Sequence, residues 1–293
     1  MYGHQNAQRS MDRFLISPSG QHLALLGTTR KGGGGTINIL DAETLQWTQE
    51  VCIESRGGIA DFCWWRDSSG MSIAGKNGEV TEWDIERRQP IVRWLDEGAV
   101  GITVLALGGI CGRNNTIKND NSGAKAKNEE TSTSTNRSIA PGMDRYVAIG
   151  STSGIINIYD RRDIFSKYSL GNNPKTTSSV PKPATPSPLR TLSNLTTPVS
   201  HLHFSPPDGQ LLAIASQWKR DALRLVHLPS CTVYKNWPTS ATPLGRITAI
   251  TWGDLHHTSV DGKGRNDGSS GQRELALVVA NEAGRIRMWD VRA

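Results

Sequence analysis

The chain has 293 residues, of which 33 are Lys or Arg and 27 are Asp or Glu, so its net charge at pH 7 is +6. No apolar run approaches the roughly 18–20 residues that a membrane-spanning helix needs, and the first residues lack the apolar core of a signal peptide, so we expect an intracellular protein without a membrane anchor. The four cysteines have no paired spacing, which argues against a disulfide framework and a zinc site. The basic balance favours an anionic partner, such as RNA or an acidic protein surface.

The strongest pattern in the chain is a short strand that ends in an aromatic or aliphatic residue followed by Asp. It occurs four times, and a fifth strand has His-Leu in the same place: Leu40-Asp41, Trp83-Asp84, Tyr159-Asp160, His227-Leu228 and Trp289-Asp290. Asp41 and Asp84 lie 43 residues apart, close to the roughly 40–45 residues of one four-stranded propeller blade. The later repeats are longer, and each contains a polar insertion. The spacing predicts an all-β protein of the β-propeller class.

The predicted strands follow one another in chain order with turn residues between them. They cover 11–16, 22–27, 36–41 and 46–52 in the first repeat; 59–65, 71–75, 79–84 and 91–95 in the second; 101–107, 145–150, 155–160 and 189–193 in the third; 199–205, 211–216, 222–228 and 232–235 in the fourth; and 246–252, 274–280 and 285–290 in the fifth. Asn77-Gly78 is typical of a tight hairpin turn. Helical periodicity is nowhere sustained, so no helix is predicted.

Three polar insertions, 112–142, 172–188 and 256–272, interrupt the repeats. Their composition buries too little apolar surface to offset the entropy of ordering, so we expect them to be disordered.

We interpret residues 1–293 as a single, partial propeller with about five recognisable blades. An isolated arc of five would leave sheet edges exposed, and we therefore expect a larger ring, of seven blades, whose N-terminal blades are missing here.

No pattern of catalytic residues is visible. The chain has no phosphate loop, nucleophile elbow or dinucleotide fingerprint, and no pair of carboxylates stands out from the turn aspartates. His201 and His203 alternate on one strand, but two histidines without a third ligand at metal spacing are more often structural. The sequence therefore predicts a protein that is not an enzyme and has no cofactor, metal or small-molecule substrate.

The residues at the strand endings are interpreted as structural. A carboxylate there can accept hydrogen bonds from the backbone amides of the following turn, and the aromatic residue before it can pack between neighbouring blades. The positions concerned are Asp41, Trp83, Asp84, Tyr159, Asp160, Trp289 and Asp290.

Three pairs of basic residues are the candidate contacts with RNA or another partner: Arg87-Arg88, Arg161-Arg162 and Lys219-Arg220. The first two pairs follow Asp at the same position in their blades, so they should line the same rim of the disc. They are either solvated residues of ordinary turns or contacts with RNA phosphate groups. In the second case the affinity for RNA would fall steeply as the salt concentration rises. The sequence leaves both readings open.

Several segments carry a family resemblance. They are 211–216, the stretch from Leu223 to Val233 with His-Leu in place of Trp-Asp, Asp96-Glu97-Gly98, 154–159 and 78–84. Together they resemble the U3 small nucleolar RNA-associated protein 18 family, which consists of WD40 proteins. The resemblance covers most of the chain between the insertions, from about 14 to 290. It transfers no individual RNA-contacting residue.

The resemblance implies a non-catalytic scaffold subunit of the small-subunit processome in the nucleolus. There it would join other WD40 subunits of the UtpB subcomplex and act with the U3 ribonucleoprotein on pre-ribosomal RNA, in ribosomal RNA processing and ribosome biogenesis. The alternative is a generic WD40 protein-interaction adaptor, such as a substrate receptor of a ubiquitin ligase, because propellers carry many functions. An enzyme that uses the central channel of a propeller is the least favoured reading.

Overall fold

The computed structural model describes residues 11–27, 34–98, 101–111, 140–168, 183–206, 208–239, 241–254 and 274–292. They form five antiparallel sheets, which we number as blades 1 to 5. Blade 1 consists of β1 (Met11–Ile16), β2 (His22–Gly27), β3 (Gly35–Asp41) and β4 (Trp47–Ile53), and blade 2 of β5 (Ile59–Trp64), β6 (Gly70–Gly75), β7 (Glu79–Asp84) and β8 (Gln89–Leu95). Blade 3 consists of β9 (Ile102–Ile110), β10 (Asp144–Ser151), β11 (Ile156–Asp160) and, after a helix α1 (Arg161–Tyr168), β12 (Arg190–Leu192). Blade 4 consists of β13 (His201–Phe204), β14 (Leu211–Ala215), β15 (Leu223–His227) and β16 (Thr232–Val233), and blade 5 of β17 (Ile247–Asp254), β18 (Glu274–Asn281) and β19 (Ile286–Arg292).

Each sheet is a meander in which every strand pairs with the strand that precedes it in the chain. The equivalent ending aspartates occupy equivalent registers, since Asp41 lies opposite His22 and Asp84 lies opposite Gly70. The all-β fold class and the predicted strands are confirmed, with ends that differ by a few residues. The predicted seven-bladed ring remains a prediction.

The helix α1 was not predicted. Its inward positions follow the i, i+3, i+4 spacing of a helix, and Arg161, Ile164 and Phe165 are buried. Asp163 in the first turn and Lys167 in the last turn have the favourable charges for the helix dipole. Two turns are too short for a periodicity to stand out in the sequence. With eight residues, α1 cannot cross a membrane, and the described part of the chain contains no helix that could.

Two ends of the predicted disordered insertions belong to the packed structure, which corrects the prediction at those positions. Ala140 is buried beside β10. Ala184 forms a parallel bridge with Trp94, and the backbone N–H of Leu95 donates to the carbonyl of Ala184 at 2.7 Å. The segment 183–188 thus satisfies backbone groups on the outer edge of blade 2. Residues 112–139, 172–182 and 256–272 lie outside the described residues.

Within the described residues, the hydrophobic core is divided into four clusters, and each lies between two successive blades. Phe62 lies between blades 1 and 2, Trp94 between blades 2 and 3, Ile158 between blades 3 and 4, and Leu223 between blades 4 and 5. Apolar side chains on the flat faces of the sheets therefore supply the main stabilisation, because their burial removes them from water. The outer faces of blades 1 and 5 have exposed apolar side chains, such as Phe14 and Met288.

The innermost strands pack against one another in chain order, β5 on β9, β9 on β13 and β13 on β17. Polar side chains join them. The carboxylate of Asp61 accepts the N–H of Leu105 at 2.9 Å, and the hydroxyl of Thr103 donates to the carbonyl of Val199 at 2.6 Å. Blade 2 is thus joined to blade 3, and blade 3 to the link that leads into blade 4, by a side chain of the first strand that bonds to backbone.

Candidate nucleic-acid interface

The meander divides the surface into two rims. Because strands alternate in direction, the turns after the first and third strands lie at one end of each blade, and the turn after the second strand lies at the other end with the link to the next blade. We call the first end the Asp rim, with the turns 17–21, 42–46, 65–69, 85–88 and 228–231. We call the other end the linker rim, with the turns 76–78, 152–155, 216–222 and 282–285 and the links 54–58 and 243–246.

Two of the ending aspartates cap the turns that follow them. Asp41 Oδ1 accepts the N–H of Thr44 at 2.8 Å and its hydroxyl at 2.9 Å, and the N–H of Glu43 lies at 3.1 Å. The backbone and side-chain hydrogen bonds from Thr44 lower the pKa of Asp41 below its ordinary value. Asp84 Oδ1 accepts the N–H of Arg87 at 2.8 Å. This geometry agrees with the structural interpretation of the strand endings.

Asp160 holds two arginines as well as a backbone amide. Its carboxylate accepts hydrogen bonds from Arg162, from Nε at 2.9 Å and from Nη2 at 2.5 Å. It also accepts a hydrogen bond from Nε of Arg145 at 3.3 Å. Burial alone would raise the pKa of Asp160, but the hydrogen bonds and charge of Arg162 outweigh it, so the pKa is lowered. Arg162 is consequently engaged within blade 3, and its side chain is only 20% exposed.

The aromatic residues before the aspartates lie between blades. Trp83 packs in the cluster between blades 1 and 2, Tyr159 in that between blades 2 and 3, and Trp289 in that between blades 4 and 5. Each contacts the preceding blade. In blade 4, where His227 replaces the aromatic residue, the imidazole Nδ1 bonds to the hydroxyl of Ser230 at 2.7 Å. Asp290 is exposed.

Tyr159 is also part of a buried polar cluster. Its hydroxyl donates to Asp96 Oδ1 at 2.6 Å and accepts the N–H of Glu97 at 2.9 Å, and Nδ2 of Asn157 donates to Asp96 at 2.9 Å. Burial, followed by the charge of Asp96, raises the pKa of Tyr159. The Asp96-Glu97-Gly98 segment that resembles the family thus ties the link after blade 2 to blade 3.

The structure corrects the prediction for Arg161. Its side chain has no exposed surface, and Nη2 contacts Glu82 Oε2 of blade 2 at 3.1 Å. It cannot reach a phosphate group on the rim, because the first residue of α1 turns inward between two blades. The signal that distinguishes it from Arg162 is the helical spacing that places it on the same face as Ile164 and Phe165.

The remaining predicted basic residues lie on different rims. Arg87 and Arg88 are exposed on the Asp rim, and the guanidinium of Arg87 lies 3.5 Å from the carboxylate of Asp84. Arg88 lines an open depression of about 330 Å³ that also contains Trp47, Trp83 and Glu50. Lys219 and Arg220 are exposed on the linker rim, at the opposite end of the sheets. The predicted contacts therefore do not form one surface.

Sequence reasoning missed the aromatic residue beside the last basic pair. Trp218 directly precedes Lys219-Arg220, and its side chain is exposed. An exposed Trp next to two cations is itself a signal of nucleic-acid contact, because indoles stack on bases while cations attract phosphates. Arg246 and Arg285, on the neighbouring link and turn, were also outside the predicted set.

The two histidines of β13 lie on the innermost strand of blade 4. Their rings are 6.5 Å apart, and His201 Nε2 makes a 3.0 Å hydrogen bond with the carbonyl of Thr248 on β17. Burial lowers the pKa of both, that of His203 to about 4, with the neighbouring His201 as the next cause. In the described residues, no group of three or more side chains is arranged to hold a metal ion.

Three of the buried carboxylates, those of Asp61, Asp96 and Asp144, join blade 2 or its link to blade 3. Asp144 of blade 3 accepts the N–H of Arg66 of blade 2 at 2.9 Å, while Asp61 of blade 2 accepts the N–H of Leu105 of blade 3. Burial raises the pKa of Asp61, Asp96 and Asp144. Each of the three carboxylates thus has hydrogen-bond partners that belong to an adjacent blade or link.

Comparison with known proteins identifies several relatives that share one name. The chain is 35% identical to U3 small nucleolar RNA-associated protein 18 of Saccharomyces cerevisiae and 35% identical to the probable protein of that name in Schizosaccharomyces pombe, each over 99% of this chain and 41% of the relative. The human homologue is 29% identical over 77% of this chain and 30% of its own length. No protein-family model matches the chain.

The chain spans about two fifths of the length of the yeast relatives, and within that part the similarity extends from one end of the chain to the other. The five blades and the tie between Asp96 and Tyr159 lie inside the matched region. The chain belongs, over nearly its whole length, to the family of U3 small nucleolar RNA-associated protein 18.

Proposed function

We propose that the chain is a non-catalytic scaffold that acts with the U3 ribonucleoprotein in the processing of small-subunit ribosomal RNA. It would do so in the nucleolus, as a subunit of the small-subunit processome that joins other WD40 subunits of the UtpB subcomplex. The observation that carries the proposal is the 35% identity to two yeast proteins named for their association with U3 small nucleolar RNA.

The buried polar side chains support a scaffold role, because they bond one blade to the next. Glu82 and Arg161 bond across blades 2 and 3, and so do Asp96 and Tyr159. These side chains are committed to holding the blades in register, which leaves the rims and outer faces of the sheets for partners. The net charge of +6 suits a position among RNA and RNA-bound proteins.

The experiment is an affinity purification of the tagged protein from the cells that produce it. We expect recovery of U3 RNA, pre-ribosomal RNA and other processome subunits. Depletion should lower small-subunit ribosomal RNA relative to large-subunit RNA. A tagged, unrelated protein of similar positive charge is the control, because charge alone attracts RNA.

Two results would contradict the proposal. One is recovery of cullin–RING components without U3 RNA or pre-ribosomal RNA, which would favour the adaptor alternative. The other is recovery of U3 RNA no greater than with the basic control protein. Unchanged ratios of the two ribosomal RNAs after depletion would argue against a role in processing.

A further inference from the structure

An exposed tryptophan marks the linker rim of blade 4. Trp218 lies in the turn between β14 and β15, with its side chain 61% exposed. The backbone of this turn is fixed beneath it, since the N–H of Gln217 donates to Ser200 Oγ at 2.8 Å, and Ser216 Oγ bonds to Thr197 Oγ1 at 2.7 Å. A large apolar ring held on a fixed turn in water is the kind of surface group that binding partners cover.

The turn is continuous with two further segments of the linker rim. The N–H of Asp221 donates to the carbonyl of Gly245 at 2.9 Å, and the carboxylate of Asp221 accepts the N–H groups of Leu244 and Gly245 at 2.6 and 2.8 Å. The N–H of Glu282 in turn donates to the carbonyl of Arg246 at 2.9 Å. The segments 217–221, 243–246 and 281–285 therefore form one surface, which we call the Trp218 patch.

The Trp218 patch has an excess of positive charge. It contains four cations, Lys219, Arg220, Arg246 and Arg285, and two carboxylates, Asp221 and Glu282. The carboxylate of Asp221 is occupied by backbone amides, and Glu282 lies 3.8 Å from Arg246 with both side chains about half exposed. Among the described residues, no carboxylate lies within ion-pair distance of Lys219, Arg220 or Arg285.

The Asp rim differs in this respect. There Arg87 is paired with Asp84, Arg162 with Asp160, and Arg66 with Asp144, and only the exposed Arg88 of the basic pair 87–88 has no ion pair among the described residues. A paired arginine has to share its guanidinium with a carboxylate when it binds a phosphate, whereas Lys219, Arg220 and Arg285 of the Trp218 patch have no carboxylate within ion-pair distance in the described part of the chain. Exposed cations around an exposed indole are complementary to a single-stranded nucleic acid, in which phosphates alternate with bases whose flat faces are accessible.

We propose that the Trp218 patch binds unpaired RNA, with a base stacked on the indole of Trp218 and the flanking phosphates beside Lys219, Arg220, Arg246 and Arg285. This rests on the proposed function, which supplies RNA as the partner. It moves direct RNA contact from the rim of Arg87 and Arg88 to the opposite rim, and it requires no base-specific hydrogen bond. The patch should therefore prefer single strands to duplexes and tolerate different sequences.

The experiment measures binding of a labelled single-stranded RNA oligonucleotide of mixed sequence to the purified 293-residue protein, by fluorescence anisotropy over a series of salt concentrations. For Trp218→Ala we expect a loss of affinity of about 5- to 160-fold, which corresponds to the roughly 1–3 kcal/mol per base of stacking on an aromatic residue. For Lys219→Ala/Arg220→Ala we expect weaker binding and a salt slope smaller by about 1.4, from two lost phosphate contacts at about 0.7 each.

The chain offers matched controls. The side chain of Trp47 is also 61% exposed, but it lies on β4 and outside the Trp218 patch, and Arg87→Ala/Arg88→Ala removes the basic pair of the Asp rim. Trp47→Ala and Arg87→Ala/Arg88→Ala should bind the oligonucleotide as the wild type does. All variants should unfold at the wild-type temperature, since the replaced side chains are exposed.

The proposal is overturned if Trp218→Ala and Lys219→Ala/Arg220→Ala bind RNA like the wild type, if Trp47→Ala weakens binding equally, or if duplex RNA binds as tightly as the single strand. Loss of binding to an acidic peptide probe in the same variants, with RNA binding unchanged, would assign the patch to a protein partner and also overturn it. Failure of the proposed function would look different, because the purified protein would bind the oligonucleotide while U3 RNA would be absent from the purification.

Discussion

The guanidinium of Arg161 and the carboxylate of Glu82 form an ion pair with 3.1 Å between Nη2 and Oε2, and neither side chain has any exposed surface. The two residues belong to different blades. Glu82 Oε2 also accepts Nε1 of Trp65 at 3.0 Å and the hydroxyl of Ser72 at 2.6 Å. The carboxylate is thus the point at which three donors from blades 2 and 3 meet.

The first prediction is that removal of either charge is more costly than removal of an ordinary contact. Glu82→Ala or Arg161→Ala leaves the partner charge buried without compensation, which costs about 3–5 kcal/mol of unfolding free energy. Urea unfolding followed by tryptophan fluorescence measures it. The matched control is Arg87→Ala, because the Arg87 side chain is 71% exposed in its ion pair with Asp84, and its loss should change stability by less than about 0.5 kcal/mol.

The double variant Glu82→Leu/Arg161→Met sharpens this test. With both charges gone, no buried charge is left unpaired, so the double variant should be less destabilised than the sum of the two single charge removals. Additive losses would show that the two side chains act independently and that their ion pair does not couple blades 2 and 3.

The second prediction concerns the hydroxyl of Tyr159. Tyr159→Phe keeps the ring, which packs at 4.8 Å against Trp94, but removes the group that bridges Asp96 and the N–H of Glu97. A buried carboxylate and an amide each lose a partner, so we expect a loss of about 1–3 kcal/mol in thermal or urea unfolding. Tyr234→Phe, on an exposed side chain of blade 4, is the control and should have almost no effect. Equal stabilities of the two variants would refute the bridging role.

Local pattern was sufficient to predict the strands. β2 and β7 begin and end at the predicted residues, because each is bounded by turn residues. The ending aspartates were predictable for the same reason, since the groups that Asp41 binds lie two and three residues away.

Features that depend on distant contacts could not be read in this way. The burial of Arg161 is decided by Glu82, 79 residues earlier in the chain. The predicted strands already place Arg87 after a third strand and Lys219 after a second strand. The observed meander of each blade shows that these two positions are opposite ends of the sheet, so Arg87 and Lys219 lie on opposite rims.

The third prediction compares two glycines in equivalent turns of the linker rim. Gly154 and Gly284 each follow a second strand, have φ of +83° and +70°, and donate to the carbonyl three residues earlier. A side chain at Gly284 would meet nothing within 4 Å, whereas a Cβ at Gly154 would lie 2.5 Å from the carbonyl oxygen of Leu195. Gly284→Ala should therefore cost only the strain of positive φ, about 1–2 kcal/mol.

Gly154→Ala should cost that strain and a backbone clash, which adds about 1–3 kcal/mol. The difference between the two variants, measured by urea unfolding, isolates the close approach of the link between blades 3 and 4 to this turn. If both alanine variants lose the same stability, the link does not pack against Gly154 as the structure shows.

The fourth prediction concerns acid stability and His203. Burial, and then the neighbouring His201 and Arg13, lowers the pKa of His203 in the folded protein to about 4, against 6.5 ordinarily. The unfolded chain therefore binds a proton between these two pH values that the folded protein does not, and the free energy of unfolding must decrease as the pH falls from 6.5 towards 4. Above pH 6.5 both states hold a neutral imidazole, and this contribution is constant.

His203→Gln removes the titrating group but keeps the backbone carbonyl that accepts Nε1 of Trp252 at 3.0 Å. The variant should lose less stability than the wild type between pH 6.5 and 4, so the difference between their urea-unfolding free energies should shift in favour of the variant as the pH falls. Other groups also titrate in this range, and the raised pKa of Asp61 acts in the opposite direction, but they are common to both proteins and cancel in the difference. Parallel stability curves for the two proteins would show that His203 takes up its proton as readily in the folded protein as in the unfolded chain.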